Sequence, residues 1–503
     1  MHTDKNRFIK NLLQSLSIGV HLCNQPFGLP SALSLSKRWF KKTRIQNKTL
    51  FSPRTLRLAP LPATLFLILI LMMAPHHLVA DIVVANTNDS GSGSLRQAIA
   101  DAASGELITF NSSLSGQTIS LAGTELLIDK NLTIDASALP YGITISGNDA
   151  SRVLKINSGI EVTLDSLTIT NGYVYTEDPW DRGAGIFNSG TLTIRNSTVV
   201  KNISSSYGAG IYNNHGCTLT LENSTVANNQ GSRGGGIWNS GTMTVRNSTV
   251  TRNSGYTGGG GIHSALIGNL DSILILENST VVDNTSGTTG GGLFSSGTLI
   301  LKNSTVARNF ANRGGGGISS NNGTLTLENS TVVLNSADAV GLNGGGGINC
   351  TTSTLSLKNT IIANNNSSKT DANDSNGSVT GDNGGNLIGD GTGMSGLTNG
   401  QNNNQIGTNT APIDPMLAPL DNYGGPTPTI PLLPDSPAID AGVATSLDTD
   451  QRGSPRLFGA FTDIGAVEVN YDGIVSFSSE ILPPTEADTS QQPAAEPSAN
   501  VFL

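Results

Sequence analysis

Short segments that alternate apolar and polar residues recur along the middle of the chain at nearly constant spacing. Seven segments share one pattern, from GTLTIRNSTVVKN beginning at Gly190 to STLSLKNTIIANN beginning at Ser353. Apolar residues fall at every second position, as at Leu192 and Ile194, and such short alternations are typical of half-buried strands. No 3.6-residue period separates the segments, so the pattern excludes alternating strand–helix units.

Each repeat also contains a Gly-rich stretch followed by a short apolar piece, such as GAGIFN or GGGIWN. A single repeat cannot bury its apolar side, but repeats stacked about 4.8 Å apart share one continuous core. We therefore predict an all-β parallel β-helix of about 10–12 rungs, where a rung is one turn of the helix. Each rung holds three short strands, and the two ends of the helix need caps because they expose sheet edges.

Two positions of the repeat form columns along the predicted helix axis. The residue before the repeated Asn alternates in charge from rung to rung, which predicts an outward ladder of opposite charges with a structural role. This column is Arg195, Glu222, Arg246, Glu277, Lys302, Glu328 and Lys358. The repeated Asn predicts a ladder of hydrogen-bonded side chains, and its match to the structural period favours this over the glycosylation sequon that Asn-Ser-Thr also forms. This second column is Asn196, Asn223, Asn247, Asn278, Asn303, Asn329 and Asn359.

A third column is rich in aromatic residues. It follows the Ile or Leu of the Gly-rich strand, so alternation points it outward when that Ile points inward. The column is Phe187, Tyr212, Trp238, His263 and Phe294, followed by Ser319 and Asn349. An exposed stripe of ring faces suits stacking on sugar rings and predicts a ligand-binding site at the first five. The alternative is that the rings stack on each other and cover the sheet.

The N-terminal region differs from the rest in composition. Residues 1–80 contain 11 of the 28 basic residues and one of the 37 acidic residues. A short apolar run over 63–74 and a small-residue pattern before Asp81 predict a signal peptide with a long basic n-region, an uncleaved anchor being the alternative. We expect an exported protein, extracellular or at the cell surface. The remaining residues carry a net charge of −19, which disfavours nucleic acid as a partner.

The composition divides the rest of the chain into four parts. Residues 81–150 are expected to form an N-terminal cap, with a small amphipathic helix, and the first rungs. Residues 151–366 form the regular repeats. Residues 367–470 form irregular rungs and a C-terminal cap, and 471–503, rich in Pro, Ser, Ala and acidic residues, predict a disordered tail.

The titratable residues predict no catalytic site. One acidic and basic group falls in the expected C-terminal cap, where we predict a structural role: Asp448, Asp450, Arg452, Arg456 and Asp463. A second group marks the best place for a cleft, in a long loop: Glu177, Asp178, Asp181 and Arg182. Four acidic residues offer oxygen ligands for Ca²⁺ without a known Ca²⁺ spacing, so no metal or cofactor is predicted beyond a weak Ca²⁺ candidate: Asp371, Asp374, Asp382 and Asp390. Cys217 and Cys350 lie about five rungs apart, too far for a disulfide.

Motifs at both ends resemble a known family. NTNDSGSGSLRQAI, the GGGIxNxGTLTLxNSTVxxN rungs, and DNYGGPTPTIPLLPDSPAIDAG with TDQRGSPR and DIGAVE are similar to bacterial exported β-helix proteins of the choice-of-anchor Q type. The resemblance covers roughly 81–470 and implies a right-handed, pectate-lyase-like superhelix that is secreted or held at the cell surface. It implies no established activity, and this chain departs from the family in lacking an obvious C-terminal anchor.

These features favour a binding or adhesive scaffold, with a polysaccharide or a surface or matrix component as its partner. A polysaccharide lyase or glycoside hydrolase is the first alternative, since the same fold hosts such enzymes, but fold alone does not assign function. A purely structural envelope or matrix protein is the second alternative. The sequence indicates neither the ligand nor the oligomeric state.

Overall fold

The computed structural model describes residues 82–175, 182–265, 271–338, 344–368 and 374–470. The predicted signal peptide and the predicted disordered tail lie outside these residues. Within them the chain forms an all-β, right-handed parallel β-helix of about 11 rungs, which confirms the predicted fold class. In the same residues, no helix has the length and apolarity that crossing a membrane requires.

A regular rung contains four short strands rather than the predicted three. In the rung that begins at Ile186 they are Ile186–Asn188, Thr191–Arg195, Thr198–Val200 and Ile203–Ser204. The first two belong to one sheet, which we call the first sheet, and the other two belong to a second and a third sheet. The two-residue strand of the third sheet was not predicted. All pairings between the described strands are parallel. The regular rungs pair in register, whereas Ile348–Lys358 and Ser375–Asp382 pair with register shifts.

The first sheet has 21 described strands, because each regular rung contributes two. They are Ile82–Val84, Glu106–Phe110, Leu126–Ile128, Leu132–Asp135, Leu154–Ile156, Glu161–Asp165, Ile186–Asn188, Thr191–Arg195, Ile211–Asn213, Thr218–Glu222, Ile237–Asn239, Thr242–Arg246, Ile262–Ser264, Ile273–Glu277, Leu293–Ser295, Thr298–Lys302, Ile318–Ser320, Thr324–Glu328, Ile348–Lys358, Ser375–Asp382 and Met394–Ser395.

The second sheet has 12 described strands. They are Thr118–Ser120, Ile143–Ser146, Leu167–Thr170, Thr198–Val200, Thr225–Ala227, Thr249–Thr251, Thr280–Val282, Thr305–Ala307, Thr331–Val333, Ile361–Ala363, Leu387–Ile388 and Gln405–Ile406.

The third sheet has eight described strands of two residues each. They are Tyr173–Val174, Ile203–Ser204, Gln230–Gly231, Ser254–Gly255, Thr285–Ser286, Phe310–Ala311, Ser336–Ala337 and Asn366–Ser367.

A short helix, Leu95–Asp101, lies at the N-terminal end, where the sequence predicts an amphipathic cap. The Ser94 hydroxyl accepts a hydrogen bond from the Gln97 N–H and so begins the helix. Its apolar residues Leu95 and Ile99 are buried in the same core as the strands, so the helix extends the interior past the first rung. A 3₁₀ turn, Ser112–Leu114, follows.

The repeated Asn residues do not form the predicted ladder; they occupy a sharp corner of each rung. All seven have φ between 46° and 51°, the left-handed conformation that Asn tolerates better than most residues. One pair, Asn303 and Asn278, makes a side-chain contact of the expected kind, at 3.3 Å. Backbone conformation at the corner therefore explains the repeated Asn, and the ladder prediction is wrong for this column.

A hydrogen-bonded Asn ladder does exist, six residues further along each repeat. In it each side-chain amide donates to the Oδ1 of the next rung at 2.9–3.0 Å, and that Oδ1 also accepts from the backbone N–H of the donor residue. The ladder ends where Asn365 donates to the carboxylate of Asp374. Its members are buried: Asn202, Asn229, Asn253, Asn284, Asn309, Asn335 and Asn365.

The alternating charge column lies in register on the outside of the first sheet, as predicted. Arg246 contacts acidic neighbours on both sides, Glu222 at 3.2 Å and Glu277 at 2.9 Å. Lys358 contacts Glu328 at 3.3 Å. Partly exposed pairs of this kind each contribute little, so the column mainly favours one order of rungs over others.

The C-terminal segment, residues 427–466, lies along the side of the β-helix, although the sequence predicts a cap at the end of the helix. Hydrogen bonds join it to successive rungs of the second sheet: Thr280 to the Pro428 carbonyl, Gln451 to Thr305, and the Ala466 N–H to Thr331. Ile430, Leu432 and Ile464 are buried in a small cluster against this sheet. The segment therefore covers one face of several rungs.

Candidate functional site

The predicted aromatic column lies outside the interior core, on the outer face of the first sheet, and its rings stack from rung to rung. Ring centroids are 5.2 Å apart for Phe187 and Tyr212, 4.6 Å for Trp238 and His263, and 4.4 Å for His263 and Phe294. Tyr212 and Trp238, 6.4 Å apart, join the two parts of the column. All of these ring planes are within 16° of parallel, so the rings form one stack. The structure thus brings all five predicted site residues together.

The predicted exposure of this column is wrong for its centre. Tyr212, Trp238 and His263 are buried, and Phe187 and Phe294 at the two ends are half-buried. Tyr207, from the loop before the next strand, stacks on Trp238 at 4.5 Å and belongs to the same small cluster. The column therefore stabilises the outer face of the sheet, and a role of its five residues in ligand binding stays a prediction.

Two arginines cover the stack. The Arg182 guanidinium donates to the Tyr212 hydroxyl at 2.6 Å and lies 5.2 Å from the Tyr207 ring, while Arg233 lies 5.6 Å from the same ring. A guanidinium over a ring face is a favourable cation–π contact. Burial, with the Arg233 charge nearby, lowers the pKa of His263 to about 3, so this imidazole is neutral inside the stack.

A groove of about 620 Å³ opens beside the first rungs, next to one end of the stack. Tyr173 and Tyr175 line it, and their rings stack with centroids 5.9 Å apart. Unlike the predicted column, these rings are accessible, at 36% and 67% exposure. Both lie just before the loop that the sequence marks as the best place for a cleft. Of the residues named there, Glu177, Asp178 and Asp181 lie outside the described residues.

This tyrosine pair was not predicted, because its aromatic residues do not recur from rung to rung: Tyr173 is followed in register by Ile203 and Gln230. The available signal was the pair of aromatic residues two positions apart in YVY, which places both on the same side of a strand. The other side chains of the groove include Glu125, Asp149 and Arg152.

The charged groups of the groove are partly paired with each other. Arg152 forms an ion pair with Glu125 and lies 5.3 Å from the Phe187 ring. Lys155 approaches the other oxygen of Glu125 at 3.7 Å. Glu125 thus faces two cations, and an ion pair beside two ring faces suits the orientation of a polar ligand.

In the acidic and basic group of the C-terminal segment, Asp450, Arg456 and Asp463 are buried, Arg452 is half-buried and Asp448 is exposed. The group makes contacts within the segment, and Arg456 also donates to the Asn303 side chain of the β-helix. Asp450 accepts from the backbone N–H groups of Arg452, Ser454 and Glu468. Burial raises the pKa of Asp463 to about 6 and that of Glu468 to about 7. These contacts agree with the structural role predicted from the sequence.

The four candidate Ca²⁺ ligands do not gather into one site in the described residues. Asp374 accepts hydrogen bonds from Asn365 and from the Asp390 N–H, and burial raises its pKa to about 6. Asp382 accepts from the side-chain amides of Asn402 and Asn404. Asp371 lies outside the described residues, within which no group of three or more His, Cys, Asp or Glu is placed to hold a metal ion. Ca²⁺ stays the weak candidate that the sequence indicates. Both Cys217 and Cys350 are free thiols.

Comparisons with known proteins give the same architecture. A family model described as a right handed beta helix region matches residues 141–332. A search of curated proteins finds no match.

Three solved structures resemble the chain. Pectate lyase Pel9A is 15% identical, with 77% of this chain and 96% of that chain covered and a TM-score of 0.48. The A-module of the Azotobacter vinelandii mannuronan C-5 epimerase AlgE6 is 15% identical, with 61% and 80% covered and a TM-score of 0.26. PfbA, a surface adhesin of Streptococcus pneumoniae, is 11% identical, with 70% and 100% covered and a TM-score of 0.31.

Proposed function

We propose that this protein is an exported or cell-surface β-helix scaffold that binds polysaccharide in the groove beside Tyr173 and Tyr175. One observation carries the proposal: two accessible, stacked tyrosine rings at a groove that also holds an ion pair. Ring faces bind the apolar faces of sugars, and the phenol hydroxyls and the Glu125–Arg152 pair supply hydrogen-bonding groups for sugar hydroxyls.

We interpret the groove as a site that binds a polysaccharide without cleaving it. The hydrolysis of a glycosidic bond commonly needs two carboxyl groups, one of which donates a proton while the other acts as a base or nucleophile. In the described part of the groove the carboxylates are Glu125, which faces Arg152 and Lys155, and Asp149. A polysaccharide lyase or glycoside hydrolase is the alternative function, and a purely structural envelope or matrix role is the second alternative.

Export is proposed on the composition of residues 1–80, and membership of the choice-of-anchor Q type on the motifs at both ends of 81–470. The partner is then a polysaccharide or another component of a surface or matrix. In this proposal the column of Phe187, Tyr212, Trp238, His263 and Phe294 stabilises the sheet beside the groove, and Phe187, at the end of the column, contacts Arg152 of the groove.

The test is affinity electrophoresis of the full chain in native gels that contain single polysaccharides. We expect at least one polymer to retard the protein, and the double substitution Tyr173→Ala with Tyr175→Ala to abolish the retardation. Tyr141→Ala is the matched control, because Tyr141 is 85% exposed and lies in the turn before the second-sheet strand Ile143–Ser146, on another face.

Release of new reducing ends or of unsaturated products from a retained polymer makes the protein an enzyme and refutes the scaffold proposal. Retardation that survives the double substitution places binding elsewhere. Absence of retardation by a broad panel leaves the structural role as the better explanation.

A further inference from the structure

The outer face of the third sheet carries no charged side chain in its main column. The outward residue of each described strand pairs in register with the next over eight rungs. These residues are Tyr173, Ile203, Gln230, Ser254, Thr285, Phe310, Ser336 and Asn366. All are aromatic, aliphatic, hydroxyl or amide side chains. The column starts at the tyrosine pair of the proposed groove.

A second outward column runs beside it and contains another tyrosine. Backbone hydrogen bonds join the residues that follow successive third-sheet strands: the Ser205 N–H donates to the Val174 carbonyl, the Ser232 N–H to the Ser206 carbonyl, and the Tyr256 N–H to the Gly231 carbonyl. Tyr256 is therefore three rungs from Tyr175, about 14 Å along the helix axis at sheet spacing. Its ring is 79% exposed. We call the surface between the tyrosine pair and Tyr256 the neutral strip.

The neutral strip differs from its surroundings in charge. At the corner that precedes each third-sheet strand the side chains include Lys201, Arg252 and Asp283, and the outer face of the first sheet carries the alternating charge column. The whole chain has a net charge of −9. In the described residues a charged polymer lying along the column would meet opposite charges at the border alone, at side chains such as Arg233, whose guanidinium donates to the Thr257 hydroxyl, whereas the hydroxyl groups of an uncharged sugar chain find amide and hydroxyl partners along the whole column.

We propose that the neutral strip is an extended subsite for an uncharged polysaccharide, with the chain running along the helix axis and Tyr256 as a second ring contact. The inference rests on the proposed function of the groove. It adds that the ligand is uncharged, runs along the helix axis and is long enough to span about 14 Å. The parallel rungs repeat the same surface in steps of about 4.8 Å, which suits a linear polymer better than a compact ligand.

The test compares Tyr256→Ala with Tyr141→Ala and the unaltered full chain. The probes are two neutral polymers, hydroxyethylcellulose and galactomannan, two anionic polymers, polygalacturonate and alginate, and a neutral disaccharide, cellobiose. We expect retardation by a neutral polymer, and a loss of affinity of about 5-fold or more in Tyr256→Ala, as for other ring contacts in binding sites. Affinity for the disaccharide, which is too short to reach both tyrosine sites, should be unchanged.

The other outcomes separate the two proposals. If a neutral polymer binds and Tyr256→Ala leaves its affinity unchanged, the neutral strip is not used, while the groove proposal stands. If only the anionic polymers bind, and bind less at high salt, the neutral ligand is refuted and a polysaccharide-binding function is kept. If no polymer binds, the proposed function fails and the inference fails with it.

Discussion

The buried Asn ladder allows a quantitative test of what holds the rungs together. Asn309 lies in its middle, where its Oδ1 accepts from the N–H and the side-chain amide of Asn284 at 3.0 and 2.9 Å. Its own amide contacts Asn335 Oδ1 at 2.9 Å and the carbonyls of Val281 and Ala307 at 3.0 Å each. The substitution Asn309→Ala removes all of these bonds while leaving the backbone sequence of the rung otherwise intact.

The expected cost follows from the groups left without partners. The buried N–H of Asn284 and one hydrogen of its amide lose their acceptor, and each such orphaned group costs about 1–3 kcal/mol. We therefore expect Asn309→Ala to lower the free energy of unfolding by about 2–6 kcal/mol. An exposed polar residue of the same rung should cost under about 0.5 kcal/mol.

The measurement is urea unfolding of the full chain followed by circular dichroism, with Asn312→Ala as the control. Asn312 is exposed, and its backbone N–H bonds to Ser286 whatever its side chain. A repeat protein can lose one region before the rest, so limited proteolysis should accompany the unfolding curve and show early cleavage near rungs 284–335. A cost below about 1 kcal/mol, or equal to that of Asn312→Ala, would show that the ladder contributes little and would refute the reasoning.

Three further substitutions test other parts of the fold. His263→Phe should make the stability of the protein less sensitive to acid. The pKa of His263 in the folded protein is about 3, below the usual 6.5, so below pH 6.5 the imidazole takes up a proton in the unfolded chain only. The protein with His263 should therefore lose about 2 kcal/mol of stability between neutral pH and pH 5. Melting curves from pH 7 to 4.5 that run parallel for both proteins would contradict this. Leu334→Asn should raise the free energy of unfolding by about 1 kcal/mol, because Leu334 is 45% exposed and has φ 59°, a left-handed conformation that Asn tolerates better than Leu. A free energy of unfolding below that of the unaltered protein, measured in urea, would contradict this. Arg246→Glu should lower the free energy of unfolding by about 1 kcal/mol, because the new carboxylate faces Glu222 and Glu277, and by less in 1 M salt, which screens the repulsion. A loss of stability that does not depend on salt would assign the effect to packing instead.

The fold could be predicted because the repeat carries it. The spacing of the segments and the alternation at Leu192 and Ile194 require stacked parallel strands. The third sheet was missed because its strands have two residues, too few for an alternating pattern, and their inward positions are small, such as Gly231 and Ala311. The position of the C-terminal segment depends on contacts such as Gln451 with Thr305, which are far apart in sequence.

The functional surface was predicted less well, for two physical reasons. Sequence alternation shows which side of a strand a residue faces, and it placed Trp238 correctly outside the core, but it cannot show that Tyr207 and Arg182 cover that side. The choice between two Asn columns depended on backbone conformation: Asn196 is needed for a left-handed corner, while Asn202 is the buried hydrogen-bonding residue. Both residues look alike in the repeat.

The alternating charge column also restricts how such a chain can change length. Deletion of the single repeat that contains Arg246 would place Glu222 beside Glu277, and duplication of one repeat would likewise place two like charges together. Loss or gain of two successive repeats keeps every neighbour opposite in sign. The unit of insertion, deletion or recombination that this β-helix tolerates best is therefore a pair of rungs, so chains related to it by descent should differ in length by even numbers of repeats.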